Sequence, residues 1–263
     1  MTIPQTITSR RETTAKKTEL FAEALRKRDA GAIVHESACV YATGSLGRGE
    51  MSDRSDLDIF VLRDRCAKSA LTNLDEIRLK ARLIEAAREQ GYPDFSADGK
   101  YITAHDLKDD VIEKLGTSED DYKNVFTARM LLILESRPLL GDAFYKRAVD
   151  DVIAVYWRDY DKNSADFLPV FLLNDILRFW KTLCLNYEER TGMAREDKPG
   201  KRRLHNYKLK HSRLLTCYSA VIALQAILER DEGTVSPDAV AQVVSWTPTQ
   251  RLEEVAQIRT SLV

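Results

Sequence analysis

The segment that decides the fold runs from residue 44 to residue 62. It reads Gly44-Ser45-Leu46-Gly47-Arg48-Gly49-Glu50-Met51-Ser52-Asp53-Arg54-Ser55-Asp56-Leu57-Asp58-Ile59-Phe60-Val61-Leu62. Its first half is a glycine-rich turn after the apolar run 38–43. Glycine tolerates positive φ, so successive amide N–H groups there can face an anion. Its second half, 56–62, has the composition of a strand, which predicts that Asp56 and Asp58 point to the same side.

Two carboxylates on one side of a strand repel each other unless a cation lies between them. Mg²⁺ is a hard cation that proteins hold with a few carboxylates and substrate phosphate oxygens. Taken alone, each half of the segment is more typical of an ordinary loop or of a solvated strand start. Together they predict a phosphate-binding turn beside a metal-binding strand.

At this spacing the segment resembles the signature of the DNA polymerase β-like nucleotidyltransferase superfamily, in which Gly-Ser is followed, after about ten residues, by Asp-x-Asp on a strand. The resemblance covers residues 36–106. Beyond them the chain is similar, more loosely, to bacterial stand-alone members with a helical C-terminal domain. The resemblance implies an α+β fold, with a small mixed-sheet catalytic domain over 1–120 and an all-helical substrate domain over 121–263.

The resemblance also implies a reaction and the residues that perform it. The reaction is Mg²⁺-dependent transfer of a nucleoside monophosphate from an NTP or dNTP to a hydroxyl of a protein, an RNA or a nucleotide, with release of pyrophosphate, as in toxin or antiphage signalling enzymes. Carried over to this chain, Gly44 and Ser45 would cradle phosphate, with Arg48 also within reach of it. Asp56 and Asp58 would hold Mg²⁺, with two ions expected.

A third carboxylate is expected to serve as general base and metal ligand, and for this role we choose Asp98. Asp98-Gly99 equally suits the turn of a hairpin between 92–97 and 100–105, so Asp94 and Asp106 stay as alternatives. The ambiguity keeps a second hypothesis open, namely a nucleotide-binding regulatory module that has lost catalysis.

Helical patterning accounts for most of the remaining chain. An amphipathic helix is predicted over 14–28, a second over 71–90, and only helices after residue 106. The helix over 166–189 is apolar almost all round, which predicts burial. Its polar residues Asn174, Arg178 and Lys181 fall on one face. They form either a structural ion-pair cluster, with Asp175 beside Arg178, or a site that holds a triphosphate.

A single basic run, 195–213, stands out in a chain whose net charge is −1. Most such runs are solvated surface. We expect a loop as far as residue 203 and a helix from residue 206, with Lys208 or Lys210 on phosphate. Single-stranded nucleic acid is a further possible partner, so a third hypothesis is an interaction subunit.

Composition excludes several other classes of protein. The four cysteines and four histidines show no spacing typical of a zinc site, and the cysteines show none typical of a disulfide framework. No apolar run approaches the length of a membrane span, and residues 1–17 lack the apolar core of a signal peptide. We therefore expect a cytoplasmic protein without a membrane partner.

Overall fold

The computed structural model describes residues 5–95, 99, 102–191 and 199–261. The chain divides into two compact units, Met1–Val152 and Ile153–Val263. The first unit is α+β and contains a small mixed four-stranded sheet. The second is helical in all its regular elements within the described residues.

The elements of the first unit are α1 (Gln5–Arg26), α2 (Ala30–Val34), β1 (Ala38–Thr43), α3 (Gly44–Gly47), β2 (Asp58–Arg63), α4 (Asn73–Glu89), β3 (Ala104–Asp106), α5 (Val125–Glu135), β4 (Arg137–Leu140) and most of α6 (Asp142–Tyr156). A π-helical turn, Leu107–Ile112, follows β3, and a 3₁₀ turn, Tyr122–Asn124, precedes α5.

The sheet has the strand order β3-β2-β1-β4. β1 is antiparallel to both of its neighbours, β2 and β4, whereas β2 and β3 are parallel. Parallel neighbours need a crossover, and α4 supplies it. α4 begins at a capping box, in which Thr72 and Asp75 each accept a hydrogen bond from the other's backbone N–H.

The two faces of the sheet are covered differently. Val40 and Val61 point to the face covered by α1, α2 and α4, where Phe21 and Leu83 complete a fully apolar core. The opposite face carries aromatic rings: Tyr41 and Phe60 stack at 5.6 Å between ring centroids, and Tyr145 of α6 packs on Tyr41 at 6.2 Å. Alternation along each strand decides which side chains reach which face.

The second unit is built on α7 (Val170–Thr191), α8 (Pro199–Lys208), α9 (Leu214–Arg230), α10 (Pro237–Ser245) and α11 (Pro248–Ser261), with a π-helical turn, Leu209–Arg213, joining α8 to α9. Its core includes Phe179 of α7 and Ile227 of α9. Arg251 of α11 is also fully buried. Its guanidinium donates to the carbonyls of Val243 (2.9 Å) and Thr216 (3.3 Å), so backbone acceptors provide part of the hydrogen bonding that a buried cation needs.

The structure corrects several sequence predictions in the first unit. The expected hairpin is wrong: residues 92–95 form no strand, and the strand that follows, β3, is parallel to β2. The chain after residue 106 is also not purely helical, because β4 pairs with β1. β4 is short and contains Pro138, so its sequence lacks a strand pattern. It lies at the sheet edge, where proline is tolerated. The predicted boundary near residue 120 therefore falls inside the sheet-bearing unit.

Two corrections concern the second unit. The helix predicted over 166–189 begins at Val170 and is not buried all round, since Leu177 and Leu185 are exposed. Residues 199–203, predicted as a loop, belong to α8. Of the helices in the described part of the chain, none combines the length and apolarity that crossing a bilayer requires.

Candidate functional site

The sheet brings the glycine turn and the acidic strand together. Thr43, the last residue of β1, is paired with Asp58, the first residue of β2. The next residue, Gly44, has φ +63°, and a Cβ added there would overlap Oδ2 of Asp58 and lie 3.2 Å from its Cγ. The Asp58 carboxyl group therefore rests on the Gly44 backbone, in a space that only glycine leaves open. Segments that were associated by sequence spacing alone are thus in contact.

Asp56 and Asp58 occupy the same side of the chain. Both are exposed, whereas Leu57 and Ile59 between and after them are buried in the core. The alternation has the period of a strand, although regular pairing begins only at Asp58. The two carboxylates are thus held at the solvent-facing start of β2 by the burial of their neighbours.

The turn itself is a single helical turn, α3. The Arg48 amide donates to the Gly44 carbonyl (3.0 Å), and the Glu50 amide donates to the Ser45 carbonyl (2.8 Å). The amides of Ser45 and the two residues after it open the helix and have no acceptor within it. The Ser45 hydroxyl is half-buried and forms no hydrogen bond with any described residue. Ser45 therefore offers both a hydroxyl and an amide close to the acids.

A buried carboxylate behind the turn fixes its shape. Glu135, at the end of α5, accepts a hydrogen bond from the Gly44 amide (3.1 Å) and another from Nη1 of Arg48 (2.9 Å). Nε of Arg48 donates to Glu50 (3.0 Å). Burial alone would lower the pKa of Arg48, but Glu135 and Glu50 more than offset this effect and raise the pKa above its usual value. The turn is thus braced by an ion pair formed mostly away from water.

Sequence reasoning missed Glu135. The signal that would have found it is its place as the one acidic residue of α5, directly after the apolar run 130–134. A lone acid at the end of a buried helix requires a partner. The partner, Arg48, lies 87 positions away in the chain. The same segment adds a second contact, because Nε of Arg137 donates to the Gly47 carbonyl (3.1 Å).

Helix α1 holds the linker between the turn and β2. Its polar residues Arg10, Thr14 and Lys17 are spaced at i, i+4 and i+7, so they share one face. They contact the carbonyl of Glu50 (3.3 Å), the amide of Met51 (2.9 Å) and the carboxylate of Asp53 (2.8 Å), respectively. This helix therefore fixes the path by which the chain leaves the turn and enters the acidic strand.

The choice of Asp98 as the third carboxylate stays a prediction. The predicted residue, Asp98, lies outside the described residues. Asp94 is exposed and paired with Nε of Arg88 at 2.9 Å. Asp106 is buried and accepts hydrogen bonds from the amides of residues 65 (3.0 Å) and 109 (2.8 Å), so it caps local structure. Within the described ranges, no three His, Cys, Asp or Glu side chains form a group that could hold a metal ion.

The other predicted nucleotide ligands belong to the second unit. Asn174 and Lys181 of α7 are exposed, and Lys208 is exposed at the end of α8. Arg178 is half-buried and lies 3.7 Å from the buried carboxylate of Asp175. The ion pair considered from the sequence is therefore present, and a role for these four residues in nucleotide binding stays a prediction.

Comparison of the chain with protein-family models, with curated proteins and with solved structures found no match.

Proposed function

We propose that the chain is a Mg²⁺-dependent nucleotidyltransferase of the polymerase β-like type. It would transfer a nucleoside monophosphate from a nucleoside triphosphate to an acceptor hydroxyl and release pyrophosphate. The observation that carries the proposal is the contact between Gly44 and the Asp58 carboxyl group. A triphosphate bound to the turn would have its charged oxygens beside the two acids, as this chemistry requires.

The two acids fit Mg²⁺. Asp56 and Asp58 provide hard oxygen ligands on one exposed side. Mg²⁺ is usually held by one or two protein carboxylates and completes its octahedron with substrate phosphates and water, so a larger protein cage is not needed. When bound, the ion neutralises negative charge on the phosphoryl oxygens. Asp98 remains the proposed general base.

The chain's remaining contribution is positioning. Ser45 would donate from its hydroxyl and amide to the phosphate chain. Arg48 would brace the turn through Glu135, with or without a further contact to a phosphate. Such a contact would be made by Nη2, because the two hydrogen bonds of the guanidinium use Nε and Nη1. Because the ion pair of Arg48 already fixes the turn, the turn needs little reorganisation when a nucleotide binds. Preorganised dipoles of this kind account for most of the rate acceleration in such reactions.

The test is an assay with each α-labelled NTP in Mg²⁺. It measures pyrophosphate release and the transfer of label to RNA, to protein and to nucleotides. Asp56→Asn and Asp58→Asn should each lower turnover by at least about 100-fold, since even removing groups that only orient metal ligands costs about 10–100-fold. The matched control is Asp64→Asn. Asp64 comes directly after the last residue of β2, at the end away from Asp58, and its carboxylate lies 3.6 Å from the guanidinium of Arg147.

Each outcome of this assay has a definite reading. Equal products from the wild type and the two acid variants would contradict the proposal. Tight ATP binding without turnover on any acceptor would favour the regulatory module. If Asp64→Asn lost as much activity as Asp58→Asn, the loss would be due to disturbance of β2 in general and not to removal of a metal ligand.

A further inference from the structure

The segment 199–213 concentrates positive charge. It contains six Lys or Arg residues and no Asp or Glu, in a chain whose net charge is −1. Four of these cations, Arg202, Arg203, Lys208 and Lys210, are exposed and form no ion pair with any residue that the structure describes. Exposed charges without counter-charges create a local field that attracts polyanions. This field lies along the helix, because the whole segment is helical.

Aromatic rings accompany the cations. Tyr207 is 62% exposed. Its ring lies 4.3 Å from that of His211, centroid to centroid, and the two planes are tilted by 40°. Arg203 precedes Tyr207 by four residues, which places both on one face of α8. Burial would stabilise an aromatic ring, so one left exposed among unpaired cations is a feature of a binding surface.

These groups select a class of partner. A planar ring with adjacent cations suits a chain of phosphates that carries accessible base faces, since bases stack on aromatic rings while Lys and Arg follow the backbone. Base faces are accessible in single strands, whereas in a duplex they are stacked inside the helix. We propose that the α8 surface, consisting of Arg202, Arg203, Tyr207, Lys208, Lys210 and His211, binds single-stranded polynucleotide.

This inference goes beyond the proposed transfer reaction and does not depend on it. If both are right, the polynucleotide is either an acceptor or a regulator of the reaction. If transfer fails while binding holds, the chain is an interaction subunit with a nucleic-acid surface. The two proposals therefore have separate experiments.

The experiment measures fluorescence anisotropy of a labelled strand of about 20 nucleotides, longer than the sites of about 4–16 nucleotides typical of single-strand binders. RNA, DNA and duplex DNA of the same sequence are titrated with the full chain over a range of salt. Arg202→Gln/Arg203→Gln/Lys210→Gln should reduce the salt slope by about 0.7 for each phosphate that is no longer neutralised, a total of about 2. Tyr207→Ala should weaken binding by about 5- to 150-fold at an unchanged slope, and Tyr207→Phe should restore it.

The matched control neutralises three exposed cations of the first unit, Lys16→Gln/Lys27→Gln/Arg78→Gln, and should keep the wild-type slope. Asp56→Asn/Asp58→Asn should also bind as the wild type does. The proposal is overturned if the wild type binds no single strand at low salt, if both triple variants reduce the slope equally, or if duplex binds as tightly as the single strand. RNA and DNA arms of equal affinity support backbone-and-stacking recognition, and a preference for one of them identifies the partner.

Discussion

The glycine turn at residues 44–49 and helix α8 differ in where their polar groups find partners. In the turn, the Gly44 amide and the Arg48 guanidinium both contact Glu135, which is about ninety residues away and almost excluded from water. In α8, Arg202, Arg203 and Lys208 are exposed and form no ion pair among the described residues, and Tyr207 is exposed beside them. The turn therefore depends on contacts with residues far away in the chain, whereas the exposed side chains of α8 depend on no such contacts.

This difference has an energetic consequence. The side chains of Arg48 and Glu135 are 12% and 7% exposed, so the removal of either leaves a charge that water cannot reach easily. The exposed cations of α8 are solvated whether or not a neighbour is present, and substitutions there change stability by about 0.5 kcal/mol or less. Substitutions in the turn should therefore change both function and stability, whereas substitutions at the exposed positions of α8 should change function alone.

The largest effect should come from Glu135→Leu. It leaves the buried Arg48 without its main counter-charge and the Gly44 amide without an acceptor, so we expect the free energy of unfolding to fall by about 3–5 kcal/mol. Urea unfolding followed by circular dichroism measures the change. The matched variant Lys210→Leu, which removes an exposed charge, should stay within about 0.5 kcal/mol of wild type.

A double variant sharpens this result. Replacing both charges, in Arg48→Met/Glu135→Leu, removes the uncompensated charge and should recover most of the stability, because apolar substitutes for a buried ion pair are often neutral. Additive losses in the double variant would mean that Glu135 acts through its contact with Gly44 and not through Arg48. A decrease no greater than that of Lys210→Leu would remove the distinction between the two regions.

The next effect concerns Gly44 and is measured against Gly91, the residue after the C-cap of α4. Both have left-handed φ, +63° and +74°, so replacement of either by Ala should cost about 1–2 kcal/mol. An added Cβ meets nothing within 4 Å at Gly91, but it overlaps the Asp58 carboxyl group at Gly44. Only Gly44→Ala should therefore displace Asp58 and abolish Mg²⁺-dependent ATP binding, measured by calorimetry.

The Gly91 variant separates strain from displacement. Equal loss of ATP binding in both alanine variants would show that general destabilisation, and not the position of Asp58, is responsible. Full binding by Gly44→Ala would mean that the turn and the acids do not share a ligand. The contact on which the proposed function depends would then carry no function.

Local features of the fold were predictable from sequence. The alternation around Asp56 and Asp58 follows from the two-residue period of a strand, and it is present. Helix α4, predicted over 71–90, runs from Asn73 to Glu89, because its apolar spacing and its capping box act over a few residues. The α+β class, which the resemblance implied, is confirmed.

Long-range pairing was not predictable in the same way. β4 has four residues and a proline, so it is recognisable as a strand only through its partner β1. The parallel register of β3 depends on the α4 crossover and leaves no mark on the residues of β3 itself. Glu135 lay outside the motif for the same reason, since its role exists only once Arg48 has been folded against it. Spacing therefore located the site but did not identify what braces it.

The smallest effect tests whether a buried group of the sheet-bearing unit makes stability depend on pH. His105 of β3 is buried against Phe60, and its pKa is lowered mainly by burial, with Lys123 adding to the effect and Asp110 opposing it. Because the pKa in the folded state is below the ordinary value of 6.5, the unfolded state takes up the proton first as pH falls. The stability contribution of neutral His105 is therefore complete above about pH 6.5 and is lost as pH drops towards the lowered pKa.

His105→Phe should remove this part of the change in urea midpoint between pH 7.5 and pH 5.5, both being about one unit from the ordinary value. The ring keeps the packing against Phe60 without a proton to bind. The matched control, His211→Phe, alters an exposed histidine of the turn that follows α8 and should leave the wild-type difference in place. If His211→Phe removed the pH dependence of stability and His105→Phe did not, the exposed histidine, and not the buried one, would be the source of that dependence.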